Sequence, residues 1–477
     1  MTCSGHSSGV VRRHILLVAV LVLAGCAGIA GSDARTSTPG SPKNIIIMFA
    51  DGTAVTQFEL ARSSARHLRN EPFTITDVIL REGVLGLLTT SPQEAIATDS
   101  AATATAMSTG VKAAIGAIGM GPDGQSLRTL IEAAKARGKR IGLVTTAPIH
   151  DATPAAFSVH AKSRRESQGI VDQYLALEPD VLLGGGLDFF LPKGAPGGKR
   201  EDGKDVVAAF RAKGYQVVRT PEALKVAAGP RLLGLFAEGD LDFEIDRDPN
   251  SQPSIAEMTE AAIRLLAKDS PNGFVVLIEN ENPDTAGHRN DLAALIRDLW
   301  AFDRAVQVAL EFQRRTSGDT LLLVTGDHET GGLSVTYAQK DLSTTSSRNR
   351  FYAARAHLAM VDRITISLEK AAEQLGKTPT PDALDKLLAD HFPGFRLDPD
   401  LREAILKQQM LERNFTYPTQ NALARMVARQ TGVYWGTSGH TTEPVVVGAL
   451  GPGADRFRGY ADNTAFGKIL HQLLAGP

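Results

Sequence analysis

The chain has 477 residues, with 51 Lys and Arg against 53 Asp and Glu, for a formal charge of −2. Hydrophobic residues at 43% and charged residues at 22% are ordinary globular usage, which excludes a disordered or collagen-like chain. The near-neutral balance excludes a nucleic-acid binder built on basic excess, and two cysteines, Cys3 and Cys26, cannot make a disulfide framework.

The first segment reads as an address. Arg12 and Arg13 precede an apolar run over residues 15–23, too short for the ~20 residues a bilayer span needs, so residues 1–25 read as a secretory signal. The run ends in Leu23-Ala24-Gly25-Cys26, which resembles the lipobox of bacterial lipoproteins, where cleavage precedes a cysteine that is then acylated. That resemblance implies export across the inner membrane and a periplasmic or cell-surface lipoprotein, anchored in the membrane through Cys26. Cleavage would remove Arg12 and Arg13 and no acid, taking the charge from −2 to −4, and would discard Cys3. Residues 26–43 then read as the acylated cysteine and a flexible tether rich in Ala, Gly, Ser, Thr and Pro.

From Asn44 onward, apolar runs alternate with amphipathic stretches. Residues 45–50 form a continuous apolar run ending in Asp51-Gly52, the pattern of a buried parallel strand and a tight turn. Residues 141–145, 180–183, 274–278 and 321–325 have the same form. Residues 127–137, 254–268 and 290–315 read as helices between them. The alternation predicts an α/β fold, a central mostly parallel sheet flanked by helices. Residues 345–435 break it: they read as a polar, largely helical insertion near the site, between catalytic parts at 44–344 and 436–477.

In such sheets ligands bind beyond the carboxyl ends of the strands. Three runs end in metal-binding groups: Asp51, Glu279, and the pair Asp327-His328. One strand-end carboxylate is commonly a turn or cap; three, one of them beside a histidine, point to a metal centre. Carboxylate with imidazole suits zinc, and carboxylate with hydroxyl and water suits magnesium. Glu279, Asp284 and His288 follow at spacings of five and four, and His440 precedes a further apolar run at 445–450. Thr98-Asp99-Ser100-Ala101 opens a stretch of small residues, placing a serine where the N–H groups of a helix start favour an anion. Taken alone, that pair is an N-cap and His440 a structural histidine.

Residues 44–52 with Gln57, 98–110, 151–164, 279–288, 324–333 and 438–441 together resemble the alkaline phosphatase family in residue type, order and spacing. The resemblance implies hydrolysis of small-molecule phosphate monoesters through a phosphoserine on Ser100. It implies two zinc ions, one on Asp284, His288 and His440 and one on Asp51, Asp327 and His328. It implies one magnesium on Asp51, Thr153 and Glu279, with Asp151 linked through water. Arg164 becomes the phosphate clamp, with Arg165 as the alternative if the register slips by one. Relatives of this kind are often homodimers.

The sequence departs from the family pattern at Asn280-Glu281-Asn282-Pro283, where small residues are expected, at Thr285, where relatives often carry a basic or aromatic group, and at Asp51-Gly52-Thr53-Ala54. Other readings are a related two-zinc phosphodiesterase or sulfatase and a non-catalytic phosphate-binding lipoprotein. Sulfatases of that superfamily carry Cys/Ser-x-Pro-x-Arg, which is not found here, and its phosphodiesterases lack the magnesium site. Gly119-Met120-Gly121-Pro122-Asp123-Gly124 matches a dinucleotide pattern, but no strand leads into it, so it reads as a loop. Gly184-Gly185-Gly186 reads as a close-packed turn, and His150 and His160 as structural.

Overall fold

The computed structural model describes residues 40–339, 350–412 and 417–476. The signal, Cys26, most of the tether and Asn414-Phe415-Thr416, a triplet that matches the glycosylation acceptor pattern, lie outside them. Ten strands make the central sheet: β1 (Asn44–Ala50), β2 (Val84–Leu88), β3 (Arg140–Pro148), β4 (Val181–Gly185), β5 (Gln216–Val218), β6 (Leu232–Leu235), β7 (Phe274–Asn280), β8 (Thr320–Thr325), β15 (Val445–Leu450) and β16 (Gly459–Ala461). Short pairs lie outside it, β9 (Glu329–Thr330) with β14 (His440–Thr441), β10 (Leu333–Val335) with β13 (Val433–Trp435), and β11 (Tyr337–Gln339) with β12 (Arg350–Tyr352).

The spatial order is β16-β2-β15-β8-β1-β7-β3-β4-β6-β5, and all neighbours pair in parallel except β15, which runs against both β2 and β8. Each central strand is apolar on both sides because both faces are covered. In β1, Ile46 and Met48 enter one core while Ile45, Ile47 and Phe49 enter the other, and all are fully buried. Flanking helices supply the rest of each core. The predicted helix at 254–268 is Ile255–Ala267, capped by Ser254 and Glu257, and that at 290–315 is Leu292–Arg315, capped by Asp291. The one predicted at 127–137 shortens to Leu130–Lys135, because Thr129 and Glu132 form its capping box.

Over residues 345–435 the helices are Arg355–Val361, Leu368–Leu375, Pro381–His391, Pro399–Leu406 and Pro418–Thr431. Their Val361, Leu384, Leu401 and Leu423 join the same core as Ile46 and Met48. Two short strands root this segment, since β12 and β13 pair with β11 and β10. The segment meets the helix Asn282–Arg289 through an ion pair from Arg289 to Glu369 at 2.9 Å. It also meets Asp291, which accepts from the Leu368 N–H at 2.6 Å.

Candidate active site

Register brings the strand ends level. Glu279 of β7 stands opposite Phe49 of β1 and Thr145 of β3, and Phe49 also faces Thr325 of β8. The four neighbouring strands β8, β1, β7 and β3 therefore deliver, side by side, Asp327-His328, Asp51, Glu279 and the turn leading to Asp151 and Thr153. Gly52 makes the turn after β1 with a φ of +67°. Its N–H donates to Asp327 Oδ1 at 3.2 Å, tying the two loops together.

The groups from distant segments converge. His328 Nε2 lies 3.7 Å from Asp51 Oδ1, 3.1 Å from Asp327 Oδ2 and 3.2 Å from Ser100 Oγ. His288 Nε2 lies 3.1 Å from both Asp284 Oδ2 and His440 Nε2. His440 Nε2 is 3.6 Å from Asp284 Oδ1, and the rings of His328 and His440 stack with centroids 3.7 Å apart. The sets Asp284, His328, His440 and Asp51, Asp327, His328 each present ligand atoms within 4.8 Å of one another. Thr153 Oγ1 donates to Asp51 Oδ2 at 3.4 Å, and Thr145 Oγ1 to Glu279 Oε2 at 2.6 Å.

Hydrogen bonding fixes the imidazole tautomers. His440 Nδ1 lies 2.7 Å from the Thr98 carbonyl and His288 Nδ1 2.6 Å from the Ser438 carbonyl. Carbonyls only accept, so both Nδ1 atoms carry the proton. His328 Nδ1 lies 3.2 Å from Thr330 Oγ1, whose own proton goes to Asp284 Oδ1, so His328 also donates from Nδ1. The three Nε2 atoms are left facing carboxylates and one another. A second-nitrogen hydrogen bond of this kind is how ligating histidines are oriented.

The carboxylates want a cation as well. Asp51 Oδ1, Asp327 Oδ2 and Glu279 Oε1 are buried without a hydrogen-bond partner. Such oxygens are rare and costly unless something positive meets them. Burial, then repulsion by Asp327 and Asp284, raises Asp51 well above the ordinary carboxylate range. Burial lifts Asp327 to about 8 and Glu279 to about 7. Burial lowers His288, but Asp284 outweighs it and lifts the imidazole to about 9. The donor set and its unmet charge fit metal ions.

Ser100 starts the helix Ser100–Thr109, and Asp99 caps it by accepting from Ala102 N at 3.0 Å. The run of small residues lets this helix bury nearly completely, and Ser100 itself is 3% exposed. Arg164 joins this helix start to the β3 turn. Its Nη1 donates to Asp99 Oδ2 at 3.3 Å and its Nη2 to both oxygens of Asp151 at 3.1 and 3.2 Å. Arg165 is exposed and no hydrogen bond from its side chain reaches Asp99 or Asp151, which separates the two arginines.

Every sequence-predicted site residue lies in this one neighbourhood, with Asp151 engaged by Arg164. Two of the three departures acquire a physical account. Glu281 Oε1 accepts from Thr285 Oγ1 at 2.7 Å, and the pair lines a cavity of about 230 Å³ shared with Asp240, Asp242 and Glu369. Asn282 instead supports the loop, donating to Asp298 Oδ1 at 3.0 Å. His160 bonds the Leu127 carbonyl and His150 packs edge-on to Phe189, both structural. Gly185 is close-packed as expected, but it ends β4 rather than forming a turn, and a Cβ there would collide with the Gly239 carbonyl. The residues that sequence reasoning passed over are Glu329 and Thr330; the Gly331-Gly332 that follows them, both at positive φ, was their visible signal.

Comparison with known proteins places the chain among relatives of one kind. The family model described as alkaline phosphatase matches residues 42–475. Alkaline phosphatase 3 of Bacillus subtilis is 31% identical over 442 residues, 91% of this chain and 89% of that protein. The repressible alkaline phosphatase of Saccharomyces cerevisiae is 37% identical over 354 residues, 69% of this chain, and the match spans 62% of the yeast protein. The crystal structure of Thermus thermophilus alkaline phosphatase superposes with a TM-score of 0.82 at 30% identity, covering 92% of this chain and 94% of that one.

Proposed function

The chain belongs to the alkaline phosphatase family and is a phosphatase, and from that premise we propose that it hydrolyses phosphate monoesters through a phosphoserine on Ser100. The observation that carries this reading is the set of three imidazoles, each donating from Nδ1 and turning Nε2 toward buried carboxylates, beside a serine at a helix start.

Asp284, His288 and His440 would hold one zinc, Asp51, Asp327 and His328 the second, and Asp51, Thr153 and Glu279 a magnesium, with Asp151 nearby. When bound, these ions supply Lewis acidity, neutralising the phosphoryl oxygens and lowering the pKa of the attacking hydroxyl and water. The rest falls to the chain. Ser100 Oγ attacks phosphorus in line with the leaving oxygen, and the helix N–H groups behind it favour the anion. Arg164 forks onto the phosphoryl oxygens, a planar bidentate match that a lysine cannot make. Asp99 and Asp151 hold that fork in place from either side.

One sequence feature concerns where this happens. The Leu23-Ala24-Gly25-Cys26 sequence after a short apolar run supports export and anchoring by an acylated Cys26. Among the described residues no helix is long and apolar enough to cross a membrane. Cys26→Ser should move the protein from the membrane to the soluble fraction.

The deciding experiment compares an aryl phosphate monoester with its diester between pH 7 and 10, with zinc and magnesium supplied. Monoester preference is expected, abolished by chelation and by Ser100→Ala, with a phosphorylated Ser100 peptide trapped on acid quench. Diester preference, or a phosphopeptide elsewhere, would overturn this reading.

A further inference from the structure

Glu329 has no part in the chemistry above, yet it is fully buried beside His328. Its carboxylate takes four hydrogen bonds. Oε1 accepts from Gln57 Nε2 at 2.5 Å and Leu333 N at 3.0 Å, and Oε2 from Thr441 Oγ1 at 2.5 Å and Gly332 N at 3.1 Å. Among the described residues no Lys, Arg or His forms an ion pair with it. A buried charge without a counter-ion is expensive, and one that is kept by four neutral donors fixes all four in place.

Each donor belongs to a segment that carries candidate ligands. Gln57 lies on the helix Val55–Ser64, just beyond Asp51, and its Oε1 accepts from Ala54 N at 3.2 Å, holding the turn after β1. Thr441 follows His440, and the β9–β14 pairing sets Glu329 opposite Thr441 and Thr330 opposite His440. Gly332 and Leu333 close the loop behind Asp327-His328. Thr330 completes the arrangement, since its N–H donates to the Gly52 carbonyl at 3.0 Å and its hydroxyl to Asp284.

We propose that Glu329 is a positioning residue for the metal centre, clamping the Asp51, His328 and His440 segments in register so that their ligand atoms converge before metal arrives. It touches neither substrate nor ligand atoms. The proposal rests on the metal reading above.

The test follows zinc release from the metal-loaded protein to a chromogenic chelator, with no substrate present. Glu329→Gln keeps the shape but turns one acceptor into a donor, and should release zinc about 10-fold faster, in line with losses seen when outer partners of metal ligands are changed. Thr441→Val cuts only the tie to the strand of His440, and should hasten release of one zinc and not the other. Val218→Ala, buried on β5 at the sheet edge, is the control: it should lower Tm and leave release unchanged. Release from Glu329→Gln at the wild-type rate, or no faster than from a control with equal loss of Tm, would overturn the proposal. If Glu329→Gln does not fold, Thr441→Val decides alone. A wild-type chain that retains no zinc overturns the metal reading itself, before any variant is compared.

Discussion

One terminal nitrogen of Arg164 lies 3.1 and 3.2 Å from the two carboxylate oxygens of Asp151. With Asp99 on the other nitrogen, the guanidinium plane is set before substrate arrives, and a preset donor costs no reorganisation during reaction. Burial alone would lower the Arg164 pKa, but Asp151 and then Asp99 raise it, so it stays charged at any working pH.

Arg164→Lys should lower kcat/KM on the order of 10²-fold, the cost of losing one aimed donor. A lysine cannot bridge Asp99 and Asp151 at once, so inorganic phosphate should also inhibit more weakly. Steady-state kinetics with phosphate as inhibitor check this; unchanged values would remove Arg164 from the clamp.

Removing metal should cost stability as well as activity. Asp51, Asp327 and Glu279 each leave a buried oxygen without a partner. Resupplying zinc at ~1,000 times its Kd should add about 4 kcal/mol to the folded state. Calorimetry of chelated and reconstituted protein should show Tm rising by several degrees, and equal values would contradict the cluster.

Gly52→Ala should abolish the centre while leaving the sheet intact. The new Cβ would sit 2.5 Å from Asp284 Cα, and the φ of +67° is strained for alanine. Asp284 would be pushed from His288 and His440. Zinc content by elemental analysis should fall while far-ultraviolet dichroism stays the same.

One pH effect lies away from the site. Asp303 accepts from Thr74 N at 2.9 Å and Ile75 N at 2.8 Å, and burial raises it to about 6. Its folded pKa exceeds the unfolded value, so its contribution is fullest below pH ~4 and is lost as pH rises through ~6. Asp303→Asn removes this titration. The stability of the variant relative to wild type should rise by up to ~3 kcal/mol between pH 4 and 7. Urea unfolding at the two pH values reads it, and a difference independent of pH would contradict the assignment.

The central strands were legible because burial on both faces leaves unbroken apolar runs, as at residues 45–50 and 321–325. The strands toward the ends of the sheet were not: β16 and β5 are three residues long, and β2 beside β16 leaves Leu85 48% exposed. The reversed direction of β15 could not be read, since Val445–Leu450 has the composition of a parallel strand. Asp51, Glu279 and Asp327-His328 followed from strand ends alone. His440 needed the family resemblance, because the 345–435 helices separate it from its partners. Glu329 looks in sequence like any exposed acid, and only the fold reveals that Gln57 and Thr441 meet there.

The place of β15 has a consequence for how the molecule comes into being. Among the described residues, β2 and β16 reach the rest of the sheet only through β15, and β15 follows His440. A polypeptide still emerging therefore holds β2 without its neighbour and the ligand set without its last imidazole. Pairings of such long sequence separation form late and slowly. Chains that have not yet added β15 can neither seal the sheet nor complete the cluster of imidazoles and carboxylates, and the two close together.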